Sequence, residues 1–159
     1  MKRTLLIGYG NPDREDDGVA WHVLRALAVN LGLPAPDSYE DEFPTSDRLD
    51  FTFSLQLTPE MAEEIAAYDR VCFVDAHTGN IPVPVQMLAI NGEFQQSPFT
   101  HHLTAQSLLS ICQALYESTP EAVLLSIRGH QFGFERELSA RTASLVPQAV
   151  GLIEEWLKK

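Results

Sequence analysis

The sequence lacks the short motifs that mark the common hydrolases. It contains no HExxH pair of histidines and no GxSxG turn around a serine, so neither a zincin-type zinc site nor a nucleophile elbow is present. It has only 2 cysteines, and both lie in apolar segments far apart in the chain. We interpret Cys72 and Cys112 as buried thiols in a reducing compartment, not as ligands or nucleophiles.

Long apolar runs are also missing. None approaches the roughly 20 residues that a membrane-spanning helix needs. The apolar stretch at residues 4–7 ends at Gly8 and is too short for the core of a signal peptide. We therefore expect a cytoplasmic protein that has no membrane partner.

Positive charge is scarce, with 11 lysines and arginines against 22 aspartates and glutamates and a net charge of −11. Such a surface repels phosphate backbones, so we expect no nucleic-acid partner. The 159 residues suit one domain with a core of its own. We expect a single domain over residues 1–159, and a monomer.

Strand and helix patterns alternate along the chain. Five segments have the pattern of strands, at residues 2–8, 51–55, 70–75, 83–90 and 122–127. Four segments have apolar residues at helical spacing, at residues 19–31, 58–67, 105–115 and 140–157. Asp16 or Asp17, Thr58, Thr104 and Ser139 stand where N-caps are expected, and Pro147 should kink the last helix. The alternation predicts an α/β fold whose largely parallel sheet is covered by helices on both faces.

One strand is expected to break the parallel order. Only 7 residues, 76–82, separate the third and fourth predicted strands. A parallel crossover needs about a dozen, so the fourth strand should run antiparallel. Pro84 near its start fits an edge strand, where a missing N–H is tolerated.

Ligands of such sheets bind beyond the carboxyl ends of the strands, where three polar segments are expected, at residues 10–17, 75–78 and 128–133. The first opens with a GxG but lacks the third glycine of a dinucleotide fingerprint. It also holds four acidic residues where a pyrophosphate would approach, so it suits a cation better than a nucleotide. The other interpretation is that these acids only favour the dipole of the following helix.

Two carboxylates and a histidine could meet at this edge. Asp75 ends an apolar strand, where a carboxylate is costly unless it is paired, bound to a metal or used to close a turn. His101 precedes a helix after a loop of about ten residues, which can span up to about 33 Å. Asp17, Asp75 and His101 would make a mixed oxygen and nitrogen site suited to nickel or zinc.

Three other histidines are expected to have structural or supporting roles. His22 lies on the inner side of its helix and is expected to be partly buried and satisfied. His77 follows Asp75 by two residues and could be a supporting or fourth ligand. His130, after the last strand, could contact a bound peptide.

Taken together, these blocks resemble the hydrogenase maturation endopeptidases, which process the large subunit of nickel–iron hydrogenases. The resemblance rests on four blocks that follow one another in the family's order: GYGNP at 8–12 with the acidic pair at 16–17, FVDA at 73–76, HHL at 101–103 with leucines at 108–109, and RG at 128–129 with ELS at 137–139. The match covers most of the chain.

The resemblance implies a five-stranded twisted sheet and a metal site. The family's metal-binding acid falls on Asp17, its strand-end aspartate on Asp75, and its histidine on His101, with His102 as the alternative. It further implies cleavage of a large-subunit precursor whose nickel arrives already seated, so nickel comes with this partner. We expect Asp17 or Asp16 to act as general base. We expect the substrate to contact five residues, Gly10, Asn11, His77, Arg128 and His130.

Two other functions stay open. Where family members often carry an Asp-Gly-Gly-Thr stretch, residues 54–59 read SLQLTP, which would suit a checkpoint or chaperone that binds a nickel-loaded precursor without cutting it. Gly10-Asn11-Pro12 also resembles the peptidyl-tRNA hydrolases. That family has a histidine–asparagine pair, whereas Val23 follows His22 here, and the charge of −11 disfavours tRNA.

Overall fold

The computed structural model describes residues 2–93 and 103–159, which form a five-stranded sheet flanked by helices. In chain order the elements are β1 (Thr4–Tyr9), a 3₁₀ turn (Glu15–Gly18), α1 (Val19–Asn30), β2 (Leu49–Ser54), α2 (Met61–Ile65), β3 (Arg70–His77), β4 (Val85–Ile90), α3 (Ala105–Tyr116), β5 (Glu121–Arg128), α4 (Ala140–Ala143) and α5 (Val146–Leu157). None of these described helices is long and apolar enough to cross a membrane.

The sheet has the strand order β2-β1-β3-β5-β4. Strands β2, β1, β3 and β5 are parallel, and β4 pairs antiparallel with β5 at one edge. The predicted α/β class and antiparallel edge strand are confirmed. The short connection between β3 and β4 did not reveal that β5 lies between them. Seven residues can reach about 23 Å, enough to step over one strand to the next position about 10 Å away.

Two apolar cores lie on opposite faces of the sheet. The first lies between the sheet and the pair α1 and α5, and the second between the sheet and the pair α2 and α3. The alternation along β3 places Cys72 and Val74 in the first core and Val71 and Phe73 in the second. Cys72 and Cys112 are fully buried, as predicted, and burial raises the pKa of both thiols, which keeps them protonated.

The helix starts differ from the predictions in two places. The prediction that Asp16 or Asp17 caps α1 is wrong, because a 3₁₀ turn precedes this helix and its N-cap is Gly18 without a side-chain hydrogen bond. The helix predicted at 58–67 is only Met61–Ile65, since i→i−3 hydrogen bonds occupy residues 58–63. Thr104 does cap α3, where its hydroxyl accepts a hydrogen bond from the Ser107 N–H at 3.1 Å.

The C-terminal helix is split instead of kinked. Ser139 caps the short helix α4 by accepting a hydrogen bond from the Thr142 N–H. The chain then turns, and Pro147 lies in the first turn of α5. Proline fits that position because the first turn of a helix leaves its N–H groups without intrahelical partners.

Candidate metal and peptide site

A cleft of about 470 Å³ opens at the carboxyl edge of the sheet, beside the ends of β1 and β3. Its polar side chains include Tyr9, Asp17 and Asp75. Residues 55–57 after β2 line one wall, and residues 103–106 at the start of α3 line another. The parallel strands therefore bring Asp17 and Asp75 to one cavity although 57 positions of chain separate them.

Asp17 is fixed by the glycine–asparagine turn that follows β1. Its Oδ2 accepts a hydrogen bond from the Asn11 N–H at 2.7 Å. Gly10 has a φ of 143°, and a Cβ there would lie 2.0 Å from the Asp17 carbonyl oxygen, so a side chain at this position would collide with the backbone. Asp17 Oδ1 has no hydrogen-bond partner among the residues that the structure describes, and is the oxygen left for a ligand in the cleft.

Asp75 lies in an environment that resists its ionisation. Burial raises the pKa of Asp75 to about 7 and the negative charge of Asp17 adds to the effect, while hydrogen bonds from the Ala76 backbone and the Tyr9 hydroxyl oppose it. Burial and the Asp75 charge raise the pKa of Tyr9, so its hydroxyl stays protonated and donates to Asp75. Two carboxylates that repel each other in one cleft are stabilised when a cation joins them.

A third ligand is not found in residues 2–93 and 103–159, where no three histidine, cysteine, aspartate or glutamate side chains gather as a metal site. His101 and His102, predicted to supply it, lie outside the described residues. The two residues that follow them in the chain, Leu103 and Thr104, line the cleft. The histidine ligand therefore stays a prediction.

Asp16 has a structural position. It is 0% exposed and does not line the cleft. Its oxygens accept hydrogen bonds from five donors, the N–H groups of His130, Gln131 and Ser139 at 2.8 Å and the hydroxyls of Ser139 at 2.7 Å and Thr142 at 2.8 Å. Burial alone would raise the pKa of Asp16, but the hydrogen bonds from Ser139, Gln131 and His130 outweigh it and lower the pKa to about 2. This geometry does not support Asp16 as the general base, because a water in the cleft cannot reach its oxygens.

Both ring nitrogens of His77 form hydrogen bonds within the fold. It is only 6% exposed. Its Nδ1 accepts from the Gly79 N–H at 3.1 Å, so its Nε2 carries the proton and donates to the Val83 carbonyl at 3.1 Å. Neither nitrogen is left for a metal or a substrate, which does not support His77 as a ligand.

The remaining predicted residues lie in different places. Gly10 lines the cleft, whereas Asn11 supports Asp17 through its backbone N–H. Arg128 and His130 line a second, smaller pocket beyond the end of β5. His22 is partly buried and satisfied, as predicted, since its Nε2 lies 2.8 Å from the Tyr39 hydroxyl.

Tyr9 is a site residue that the sequence analysis missed. Leu5, Ile7 and Tyr9 occupy every second position of β1 and lie on the face that carries the second core. The register pairs Gly8 with Val74, so Tyr9 comes beside Asp75 on the neighbouring strand. Aligning the two parallel strands in the sequence and counting along each of them would have placed Tyr9 beside Asp75.

Comparison with known proteins gives one consistent result. No protein-family model and no curated protein matches the sequence. Among solved structures, the chain is similar to the [NiFe] hydrogenase maturation protease HycI from Thermococcus kodakarensis KOD1, with 20% identity, a TM-score of 0.70, and coverage of 99% of this chain and 94% of that one.

Two further structures agree. The hydrogenase maturating endopeptidase HybD from E. coli is 16% identical, with a TM-score of 0.74 over 98% of this chain and 92% of that one. The hydrogenase 2 maturation peptidase from Thaumarchaeota archaeon SCGC_AB-539-E09 is 19% identical, with a TM-score of 0.63 over 98% of both chains. The chain therefore has the fold of the hydrogenase maturation endopeptidases.

Proposed function

We propose that this protein is an endopeptidase that removes a C-terminal peptide from the nickel-loaded precursor of a nickel–iron hydrogenase large subunit. The observation that carries the proposal is the pair Asp17 and Asp75 in the cleft. The shared fold with endopeptidases of hydrogenase maturation supports it. We place the reaction in the cytoplasm.

The nickel of the precursor is the group that this cleft would recognise. Asp17 offers Oδ1, and Asp75 offers a carboxylate whose ionisation a cation would favour. His101 is the proposed nitrogen ligand. Nickel held between substrate thiolates and these side chains would fix the distance from the metal to the scissile bond and could polarise its carbonyl.

Asp17 is the better of the two proposed general bases. With Oδ1 on the metal, the remaining lone pair of Oδ2 takes a proton from the attacking water as the water oxygen bonds to the carbonyl carbon. The proton then goes to the amine that leaves when the C–N bond breaks. Asp17 lines the cleft, while Asp16 does not. Tyr9 is the proposed positioning residue, because its hydroxyl holds Asp75 in place.

A checkpoint that binds without cutting is the second candidate. Residues 55–57 line the cleft where family members often carry an acidic, glycine-rich stretch, and here they are Leu55, Gln56 and Leu57. Leu55 is 66% exposed, which suits contact with a partner. This wall offers no ionisable side chain to the reaction.

Mass spectrometry of a nickel-loaded precursor separates these functions. We expect the wild type to remove the mass of the C-terminal peptide, and to leave nickel-free precursor intact. Asp17→Asn should lower the cleavage rate by at least about 100-fold, the usual range for losing a general base. Asp47→Asn, the same change at an exposed aspartate before β2, is the matched control and should cleave normally.

Each other outcome has a distinct meaning. A stable complex without mass loss would make the protein a checkpoint. Cleavage at the normal rate by Asp17→Asn would contradict the proposed chemistry. A gel shift with tRNA would favour the peptidyl-tRNA hydrolase alternative.

A further inference from the structure

A second pocket, of about 240 Å³, lies where the β3–β4 connection meets the end of β5 and the helix α4. Every charged or titratable side chain that lines it is basic: His77, Arg128, His130 and Arg141. No carboxylate lines it, although the chain has 22 acidic and only 11 basic residues. The two arginines therefore concentrate positive charge here against the composition of the whole protein, while the two histidine rings are neutral.

The guanidinium of Arg128 is positioned by its packing against Gly79 and by a hydrogen bond. Gly79 has a φ of 105°, and a Cβ there would lie 2.0 Å from Arg128 Nη1, so the guanidinium packs against the bare Cα. Arg128 Nε donates to the Gly129 carbonyl at 3.0 Å. Neither Arg128 nor Arg141 forms an ion pair with any residue that the structure describes.

His130 presents its outer nitrogen beside these two arginines. Its Nδ1 lies 2.7 Å from Thr142 Oγ1, which is itself 2.8 Å from the ionised Asp16. The hydroxyl hydrogen has an acceptor in Asp16, so Nδ1 donates to Oγ1 and Nε2 of the neutral ring is an acceptor, without a partner in the described part of the chain. Burial, together with the charges of Arg141 and Arg128, lowers the pKa of His130 against the opposing charge of Asp16, so the ring stays neutral beside the two arginines.

The pocket is a neighbour of the cleft. Asp75 and His77 lie on the same face of β3, about 7 Å apart along the strand. Arg128 is the partner of His77 in the register of β3 and β5. About two extended residues of a bound peptide, at roughly 3.3 to 3.6 Å each, would span the distance from Asp75 to His77.

We propose that Arg128 and Arg141 bind a carboxylate of the peptide substrate. The inference rests on the proposed peptidase function and adds a second recognition point to it. A guanidinium binds the planar carboxylate through two parallel hydrogen bonds, which fixes orientation as well as charge. The carboxylate is either the free C-terminus of the peptide or the side chain of an aspartate or glutamate.

Three short peptides test this proposal without nickel or precursor. The probes are acetylated trialanine with a free C-terminus, the same peptide as its amide, and an acetylated, amidated peptide with glutamate between two alanines. Backbone amide signals of Gly129 and His130 are followed by NMR during titration. We expect at least one of the two charged probes to shift these signals and the neutral amide to leave them in place.

Two arginine variants provide the comparison. Arg141 is exposed, so Arg141→Gln should fold normally and weaken binding of the charged probe at least fivefold. Arg48→Gln makes the same change in charge at an exposed residue before β2, at the opposite end of the parallel strands, and should leave binding unchanged.

The outcomes test the carboxylate pocket independently of the proposed peptidase function. Binding of the free-terminus probe alone identifies a C-terminal carboxylate, and binding of the glutamate probe identifies an acidic side chain. No shift at Gly129 and His130, or equal weakening by Arg48→Gln, overturns the carboxylate pocket. Because these probes hold no nickel, pocket binding can be measured even if precursor cleavage fails.

Discussion

The Asp75→Asn variant is expected to be more stable than the wild type at pH 8, while nickel-dependent cleavage is lost. The pKa of Asp75 is raised from 3.8 to about 7 in the folded protein. The folded state therefore holds this proton more tightly than the unfolded chain does. As pH rises from about 4 to about 7, this group lowers the free energy of unfolding, and the full cost is present above about pH 7.

The size of the effect follows from the pKa difference. A shift of about three units corresponds to at most about 4 kcal/mol. Asparagine keeps an oxygen to accept the Tyr9 hydroxyl and carries no charge. We expect the free energy of unfolding of Asp75→Asn to exceed that of the wild type by roughly 2 to 4 kcal/mol at pH 8 and by little at pH 4. Urea unfolding at a series of pH values measures this difference.

Asp47→Asn serves as the control for stability as well. Asp47 is exposed, so its replacement should change the free energy of unfolding by less than about 0.5 kcal/mol at every pH. A stability gain of Asp75→Asn that did not vary with pH would show that ionisation is not its cause. A variant less stable than the wild type at pH 8 would contradict the raised pKa of Asp75.

Gly10→Ala is expected to destabilise the protein by about 3 kcal/mol or more, because two costs add at this residue. An alanine would be strained at a φ of 143°, and its methyl group would lie 2.0 Å from the Asp17 carbonyl oxygen. The 3₁₀ turn must then move, and the Asp17 carboxylate moves with it. Thermal unfolding should show the loss of stability, and metal affinity should fall in the same variant.

Gly151→Ala is the matched control. Gly151 lies within α5, and a Cβ there would meet no atom within 4 Å. Alanine inside a helix is favoured over glycine, so this variant should gain up to about 1 kcal/mol. If Gly10→Ala unfolded at the same temperature as Gly151→Ala, the close approach of Gly10 to the Asp17 backbone would be wrong.

The parts of the fold that follow from periodicity were predictable from the sequence. Apolar runs identified the strands, and the rule that ligands bind beyond the carboxyl ends of parallel strands brought Asp17 and Asp75 to one edge. The Thr104 cap was also predictable, because it depends on residues within one turn of helix. These features are local, or follow from the parallel order of the strands.

The parts that depend on distant segments were not predictable. Asp16 and Asp17 are adjacent acids, and only the docking of residues 130–142 buries Asp16 and leaves Asp17 in the cleft. His77 looked available in the sequence because its partners, Gly79 and Val83, depend on the conformation of the β3–β4 connection. Neither the burial of Asp16 nor the hydrogen bonds of His77 leave a signal in the local sequence pattern.

A calorimetric titration of nickel, and then of cadmium, tests the central claim most directly, that the two carboxylates and a histidine form one metal site. The titration uses the wild type and the Asp17→Ala, Asp75→Ala and His101→Ala variants, with His102→Ala as the adjacent control. We expect one site per chain, lost in the first three variants and kept in the control. Metal binding that is absent from the wild type, or indifferent to Asp17→Ala and Asp75→Ala, would contradict the site.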